Sequence, residues 1–263
     1  MNIALRYQRI LLLFGALLSA ASFYYMRASE PAAGWFLETS GRAGFVLSNV
    51  EITGLGRTTK NDVLARLDVD NGMPILGIDL ESIQARVEAL PWVRHAVVSR
   101  VFPGDLRVQV EERQPYALWQ NNGSVGLIDM EGVVITRRGL DQYSELLMIV
   151  GEEGPATVGA LFLMLESNVE LAGRVKTAIR VGDRRWDMVF DNGVRVKLPE
   201  EMDAKYNASQ AWQRFVSIQQ KHSLLEREVS VIDMRIADRI VMRVTPAGRH
   251  QLDVKRRGKE WIA

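Results

Sequence analysis

The sequence predicts an α+β protein in three parts. These are a single N-terminal transmembrane helix, a small domain with the order β-α-α-β-β, and a mainly antiparallel β domain with interrupting helices. Three observations predict this class: an uncharged apolar run near the N-terminus, a section in which strands and helices alternate, and a long remainder of short strands separated by turn residues.

The apolar run predicts a membrane anchor over residues 10–27. No charged residue lies between Ile10 and Met26, and a helix of that length spans about 25 Å, close to a bilayer core. Arg6 and Arg9 precede the run, which favours a cytoplasmic N-terminus for residues 1–9. The alternative is a cleaved signal peptide, since residues 19–21 are Ser-Ala-Ala, but the apolar run continues beyond them.

A linker is predicted over residues 28–44, where small and polar residues are broken by Pro31, Gly34, Gly41 and Gly44. Aromatic residues at positions 35 and 36 could rest on a membrane surface or pack on the next domain. The sequence leaves both possibilities open.

The first folded domain is predicted over residues 45–114. An alternating strand ends at Gly54, and Thr59 with Asp62 approximates a capping box that begins a helix. Asp79 is the expected N-cap of a second helix, which Pro91 stops. Two strands joined by a turn at residues 102–105 follow, so we expect both helices on one face of a three-stranded sheet.

The second domain is predicted over residues 115–246. Asn122-Gly123, Glu131-Gly132 and Asn192-Gly193 mark hairpin turns. Apolar spacing predicts one helix over Thr157–Val175, and Pro199 followed by two acidic residues predicts the start of another. Two final strands are joined near Ala237-Asp238, and the basic tail, residues 247–263, is expected to be disordered.

The last predicted strand, Ile240–Val244, would be the edge strand of an open sheet. Its backbone donors and acceptors would be unpaired on one side. Arg239 and Arg243 could protect this edge by charge, or they could flank a strand contributed by another protein. The pattern alone allows either interpretation.

Composition and motifs argue against an enzyme. The net charge is +1 and the chain has no Cys, so nothing indicates nucleic-acid binding, disulfides or a thiol nucleophile. The three His residues, 95, 222 and 250, are isolated in the sequence, and no nucleophile-elbow, zinc-protease or P-loop motif occurs. We therefore expect no catalytic residues, cofactor, metal or small-molecule substrate.

The first domain resembles a POTRA domain, and its position after one predicted anchor resembles the FtsQ/DivIB family of bacterial cell-division proteins. The motifs that carry the resemblance run from "ITGLGRTT" through "GMPILGIDL" and "LPWV" to "SRVFPGDLRVQVEERQP". In the second domain, "LIDMEGVVI" resembles the D-x-x-G hairpin with which that domain of the family begins.

The resemblance implies a non-enzymatic scaffold in the inner membrane at the division site, with its bulk in the periplasm. It also implies that the scaffold links early and late division proteins and binds FtsB and FtsL through the last strands of the β domain. A POTRA-type chaperone or transport component for periplasmic polypeptides is the alternative function. The partner-binding residues that the resemblance implies are Arg184, Arg185, Asp233, Arg235, Ile236, Ile240, Val241, Met242, Arg243 and Val244.

Overall fold

A computed structural model describes residues 35–250 except positions 36, 153 and 204. The chain divides into two compact units between Glu112 and Arg113, here the N-terminal and C-terminal units. The predicted anchor and residues 251–263 of the predicted tail lie outside the described residues. Within the described part, no helix combines the length and the hydropathy that crossing a membrane requires.

The N-terminal unit has the predicted β-α-α-β-β order. Its three-stranded sheet has the order β1-β3-β2, in which β1 is parallel and β2 antiparallel to β3. A short 3₁₀ turn, Ile75–Gly77, lies between the helices. The elements are β1 Asn49–Thr53, α1 Lys60–Leu67, α2 Leu80–Glu88, β2 Val93–Val101 and β3 Asp105–Glu112.

Side-chain caps lie at the N-termini of both helices, as predicted. The Thr59 hydroxyl accepts from the Asp62 N–H while the Asp62 carboxylate accepts from the Thr59 N–H, a complete capping box. The Asp79 carboxylate accepts from the Ser82 N–H at the start of α2. Both helices bury one stripe against the sheet, in a core that includes Val63, Leu67, Ile83, Val87, Val93, Ala96, Leu106 and Val108.

The predicted linker is partly helical, because residues 37–42 form the end of a helix. Ser40 and Thr39 donate their hydroxyls to carbonyls three and four residues earlier, and Arg42 pairs with Glu38. The small polar residues interpreted as a linker therefore satisfy the helix's own backbone. Gly44, at φ +93°, takes the left-handed conformation that follows a helix end.

Glu112 connects the end of β3 to the loop before α1. Its carboxylate accepts the backbone N–H groups of Gly56, Arg57 and Thr58 at 2.7–3.0 Å. Partial burial works to raise the pKa of Glu112, but these hydrogen bonds outweigh it and hold the pKa below its ordinary 4.5.

We expect Glu112→Gln to destabilise the N-terminal unit by about 1–3 kcal/mol at pH 7, since one charged acceptor of several N–H groups is lost. Because the folded pKa is lowered, the stabilisation is complete above the ordinary pKa and disappears as pH falls through the folded value. Urea unfolding at pH 7 and pH 3 should therefore show a difference that shrinks in acid. Glu111→Gln is the matched control, because Glu111 forms an exposed pair with Arg94, and an equal loss there would contradict the prediction.

The C-terminal unit contains a mostly antiparallel sheet of nine strands among the described residues. Its strands are β4 Ala117–Asn121, β5 Ser124–Ile128, β6 Val134–Thr136, β7 Leu147–Val150, β8 Val175–Val181, β9 Arg185–Phe190, β10 Arg195–Glu200, β11 Val229–Asp233 and β12 Val241–Val244. Its helices are α3 Gly154–Glu166, α4 Val169–Gly173 and α5 Ala208–His222, with 3₁₀ turns at Leu140–Tyr143 and Leu224–Glu226.

The sheet order is β12-β11-β10-β9-β8-β7-β4-β5-β6. The pairs β4–β7, β7–β8 and β10–β11 are parallel, and the remaining pairs are antiparallel. The three predicted hairpin turns are present; Asn122 and Gly123 both have positive φ, as a two-residue hairpin requires. The core of this unit is formed by side chains of the sheet together with side chains of α3 and α5. It includes Phe162, Trp186, Phe190, Trp212 and Phe215.

Two helix predictions in this unit are wrong. The predicted helix Thr157–Val175 is two helices and the start of a strand, because the Asn168 side chain caps α4 and Val175 begins β8. Pro199 does not begin a helix but lies near the end of β10, where the register against β9 shifts and a ladder N–H is not needed. Helix α5 begins later, at a capping box between Asn207 and Gln210.

The first residues of the predicted disordered tail are ordered in the structure, since residues 246–250 are helical. The Thr245 hydroxyl accepts from the Gly248 N–H and donates to the Glu228 carboxylate. Pro246 thus occupies the first helical position, where its missing N–H costs nothing.

Candidate functional site

Strand β12 is one edge of the large sheet. It pairs antiparallel with β11, and among the residues that the structure describes no strand lies on its other side. The register places Val241 opposite Asp233, Met242 opposite Ile232 and Arg243 opposite Val231. The edge expected from the sequence over Ile240–Val244 is therefore a strand over Val241–Val244 that has an open side.

Hydrogen bonds at both ends of the pair identify the backbone groups that face outward. The Met234 N–H donates to the Lys197 carbonyl on the β10 side, so the residue before it, Asp233, faces β12. Val241 and Arg243, which lie opposite Asp233 and Val231, therefore face β11, as does Thr245, whose N–H donates to the Glu228 carbonyl. By alternation, the N–H and C=O groups of Met242 and Val244 point to the open side.

The side chains of this edge combine exposed and anchored apolar groups. Val241 is 52% exposed and Met242 is 43% exposed, on opposite faces of the strand. Ile240 and Val244 are half-buried and pack against the core of the unit, which holds both ends of the strand in place. Arg243 is exposed, and its carbonyl accepts from the Ser230 hydroxyl. The edge is thus a short, fixed backbone ribbon with apolar contacts available on each face.

An ion pair orders the connection between β11 and β12. Arg235 donates Nε and Nη2 to the two carboxylate oxygens of Asp233 at 2.6–3.1 Å. This pairing lowers the pKa of Asp233 and raises the pKa of Arg235. Arg214 of α5 donates to the Ala237 carbonyl, and Ile236 is left exposed at the tip. Arg235 is therefore held in place by a contact within its own unit.

Arg184 and Arg185 lie at the β9 side of the same part of the sheet, but they have different surroundings. Arg185 lies 3.8 Å from the Asp187 carboxylate, and Asp187, Lys197 and Asp233 are in register across three adjacent strands. Arg185, Asp187, Lys197, Asp233 and Arg235 thus form a polar row that leads to β12. Arg184 instead pairs with Glu200 at 3.2 Å, just before β9 begins.

The sequence analysis missed Asp187 and Lys197 as members of the polar row. Asp187 is buried, although the residues on each side of it, Trp186 and Met188, face the core. The alternation of "RWDMVF" already places Asp187 on the face opposite Trp186. A polar residue at that position was the signal that could have identified the row.

His95, one of the three histidines in the sequence, contacts a carboxylate. His95 Nδ1 lies 2.8 Å from Glu88 Oε1, and the Glu88 carboxylate also accepts the Ala96 N–H. Over the described ranges, no three His, Asp or Glu side chains are grouped so that they could hold a metal ion.

Comparison with known proteins gives two family matches. Residues 45–113 match the POTRA domain of FtsQ type, and residues 117–235 match the cell division protein FtsQ/DivIB, C-terminal family. The second match ends before β12.

Similar proteins are named Cell division protein FtsQ. The one from Rhizobium meliloti (strain 1021) is 30% identical over 231 residues, which cover 88% of this chain and 73% of that protein. The one from Bartonella bacilliformis is 34% identical over 200 residues, covering 76% and 63%. The one from Caulobacter vibrioides (strain NA1000 / CB15N) is 31% identical over 207 residues, covering 78% and 66%.

Proposed function

The chain belongs to the FtsQ/DivIB family of cell-division proteins, and on that premise we propose that it is a non-enzymatic, membrane-anchored scaffold of the divisome. In this proposal it binds FtsB, and FtsL through FtsB, by adding a strand of the partner to β12. The anchor over residues 10–27 holds both units on the periplasmic side of the inner membrane, where it links early and late division proteins.

The observation that carries the proposal is the open side of β12. A peptide that adds to a sheet edge gains main-chain hydrogen bonds that are independent of its sequence, and side-chain contacts on alternate faces give it specificity. The outward N–H and C=O groups of Met242 and Val244 supply the first contribution. Val241 and Met242 supply apolar contacts for the second, one on each face of the strand.

The polar row adds charge to the same surface. Arg235 and Asp233 satisfy each other in the free protein, so a partner that approaches β12 meets an ordered ion pair. An acidic side chain of the partner beside Arg235 would share its guanidinium with Asp233, and charge complementarity of this kind selects the partner and its register. The anchor confines the search to two dimensions and raises the effective concentration of the partner.

We expect Met242→Pro to lower the affinity for a purified periplasmic segment of FtsB by tenfold or more. Proline removes the outward N–H of residue 242 while the hydrogen bonds between β11 and β12 remain, since Val241 and Arg243 provide those. Met242→Ala is the matched control, because it keeps the N–H and loses only the side chain. Unchanged capture by a folded Met242→Pro variant would contradict strand addition.

A photo-crosslinking residue at position 242 gives an independent test that does not depend on the stability of the proline variant. Crosslinks to FtsB are expected from position 242 and not from position 134 in β6, the opposite edge of the sheet. Equal crosslinking from both edges would reject β12 as the specific site.

A further inference from the structure

Three exposed aromatic residues lie at one end of the N-terminal unit. Trp35 is 69% exposed, Phe102 is 57% exposed and Phe45 is 37% exposed. The rings of Phe45 and Phe102 meet edge to face with centroids 5.9 Å apart. We refer to Trp35, Phe45 and Phe102 as the aromatic end.

Sheet topology places Phe45 and Phe102 at the same end of the sheet. β1 begins opposite Asp105 and β2 ends opposite Asp105, so the chain before β1 and the β2–β3 turn share one end of the sheet. The Phe45 N–H donates to the Ser40 carbonyl, which holds the preceding helix at this end. The Thr39 hydroxyl donates to the Trp35 carbonyl, so Trp35 belongs to the same helix. Strand β3 begins at this end of the sheet and runs away from it.

The aromatic rings contribute little to the core of the unit. Leu47 and Leu106, their neighbours along the chain, are buried, whereas Phe102 keeps more than half of its surface in water. Exposed aromatic surface of this kind marks a contact site, and aromatic rings favour the boundary between water and hydrocarbon. Arg42 and Glu38, on the same helix as Trp35, pair at 2.7 Å and so add no net charge beside it.

We propose that the aromatic end rests in the headgroup layer of the bilayer that the predicted anchor spans, an inference that depends on the anchor of the proposed function. The connection from residue 28 to residue 34 reaches at most about 25 Å when extended. This distance keeps Trp35 close to the membrane surface. The aromatic rings then act as interfacial anchors that set the orientation of the N-terminal unit.

The absence of cysteine from the chain allows a direct test. The full-length Phe102→Cys variant carries a nitroxide and is reconstituted into phosphatidylcholine–phosphatidylethanolamine vesicles. We expect collisions with dissolved oxygen to exceed those with a water-soluble nickel chelate severalfold. Val97→Cys is the matched control, because Val97 is 47% exposed but lies in the middle of β2, and its label should be accessible to nickel.

The outcomes separate the inference from the proposal beneath it. A chain retained in vesicles after an alkaline carbonate wash, with a Phe102 label as accessible to nickel as the Val97 label, overturns the aromatic end alone. Loss of the chain in that wash overturns the anchor and the inference together. Dipolar broadening between Phe102 labels, with nickel access retained, indicates a second copy at this surface and also overturns the lipid contact.

Discussion

Replacing Trp212 with alanine is expected to lower the unfolding free energy of the C-terminal unit by about 3–5 kcal/mol. Trp212 is fully buried on α5 and forms a cluster with Phe190 of β9 and Phe215. Its ring stacks on Phe190 with centroids 6.5 Å apart and planes 14° apart. Alanine would leave a large cavity where the helix meets the sheet.

The matched control is Gln213→Ala, one residue further along α5 and exposed. Alanine favours helices and Gln213 has no buried contact to lose, so the control should change stability by no more than about 0.5 kcal/mol. Urea unfolding followed by circular dichroism measures both variants. A Trp212→Ala loss below about 1 kcal/mol would show that the site collapses around the cavity.

The same aromatic cluster bears on the partner binding that we propose for β12. β12 pairs with β11, and Ile232 of β11 belongs to the same core as Trp212. Weakening the core should therefore also reduce capture at the edge, which is why folding must be measured for every β12 variant. Met242→Pro differs in this respect because residue 242 lies outside the core.

Much of the N-terminal unit was predictable because its signals are local. The Thr59–Asp62 capping box, the Asp79 cap and the alternation of β3 each lie within a few residues, and each is present in the structure. Glu112 was recognised only as part of a motif. Its hydrogen bonds to a loop more than fifty residues away required the fold.

The C-terminal unit was less predictable because its pairings are distant in sequence. Hairpin turns indicated the antiparallel neighbours, but no local pattern indicates that β7 lies parallel between β4 and β8. Apolar spacing also could not separate the end of α4 from the start of β8, since Val175 is buried in either structure. Pro199 was predicted to begin a helix, because proline is common in the first turn of helices. In the structure it lies in β10, where a shift in strand register accommodates it.

The candidate site was likewise predictable only in part. Alternation predicted a last strand near Ile240–Val244, but whether it lies at an edge depends on the whole sheet order. The direction of each backbone group depends on register, which the sequence does not show. Arg185 joins the polar row only because β9, β10 and β11 are adjacent.

Asp129→Ala is expected to be the second strongly destabilising change, by about 3 kcal/mol. The Asp129 carboxylate lies 2.6 Å from Arg113 Nη1, and both side chains are largely buried. Its other oxygen accepts the N–H groups of Glu131 and Val133, which forms the hairpin turn. Alanine would leave the buried guanidinium and two backbone donors without this partner.

These contacts also explain the D-x-x-G pattern physically. Asp129 closes the turn, and Gly132 follows at φ +81°, where a Cβ would lie 2.1 Å from the Pro155 carbonyl oxygen. A side chain at position 132 would therefore meet both backbone strain and a backbone clash. The motif is a packing requirement of the hairpin against the start of α3, separate from the partner binding that we propose for β12 at the other edge of the sheet.

Two further variants separate the roles of Asp129. Asp129→Asn keeps an oxygen for the two N–H groups and removes the charge, so it should lose about half as much stability as alanine. Glu131→Gln is the control, since Glu131 is exposed and lies 3.5 Å from Arg113.

A double-mutant cycle of Asp129→Ala and Arg113→Met tests the buried pair itself. A loss of stability in the double variant smaller than the sum of the single losses would show coupling between the two side chains. Strictly additive losses would mean that Asp129 acts through the turn alone, and that Arg113 is held by Glu131 and its surroundings.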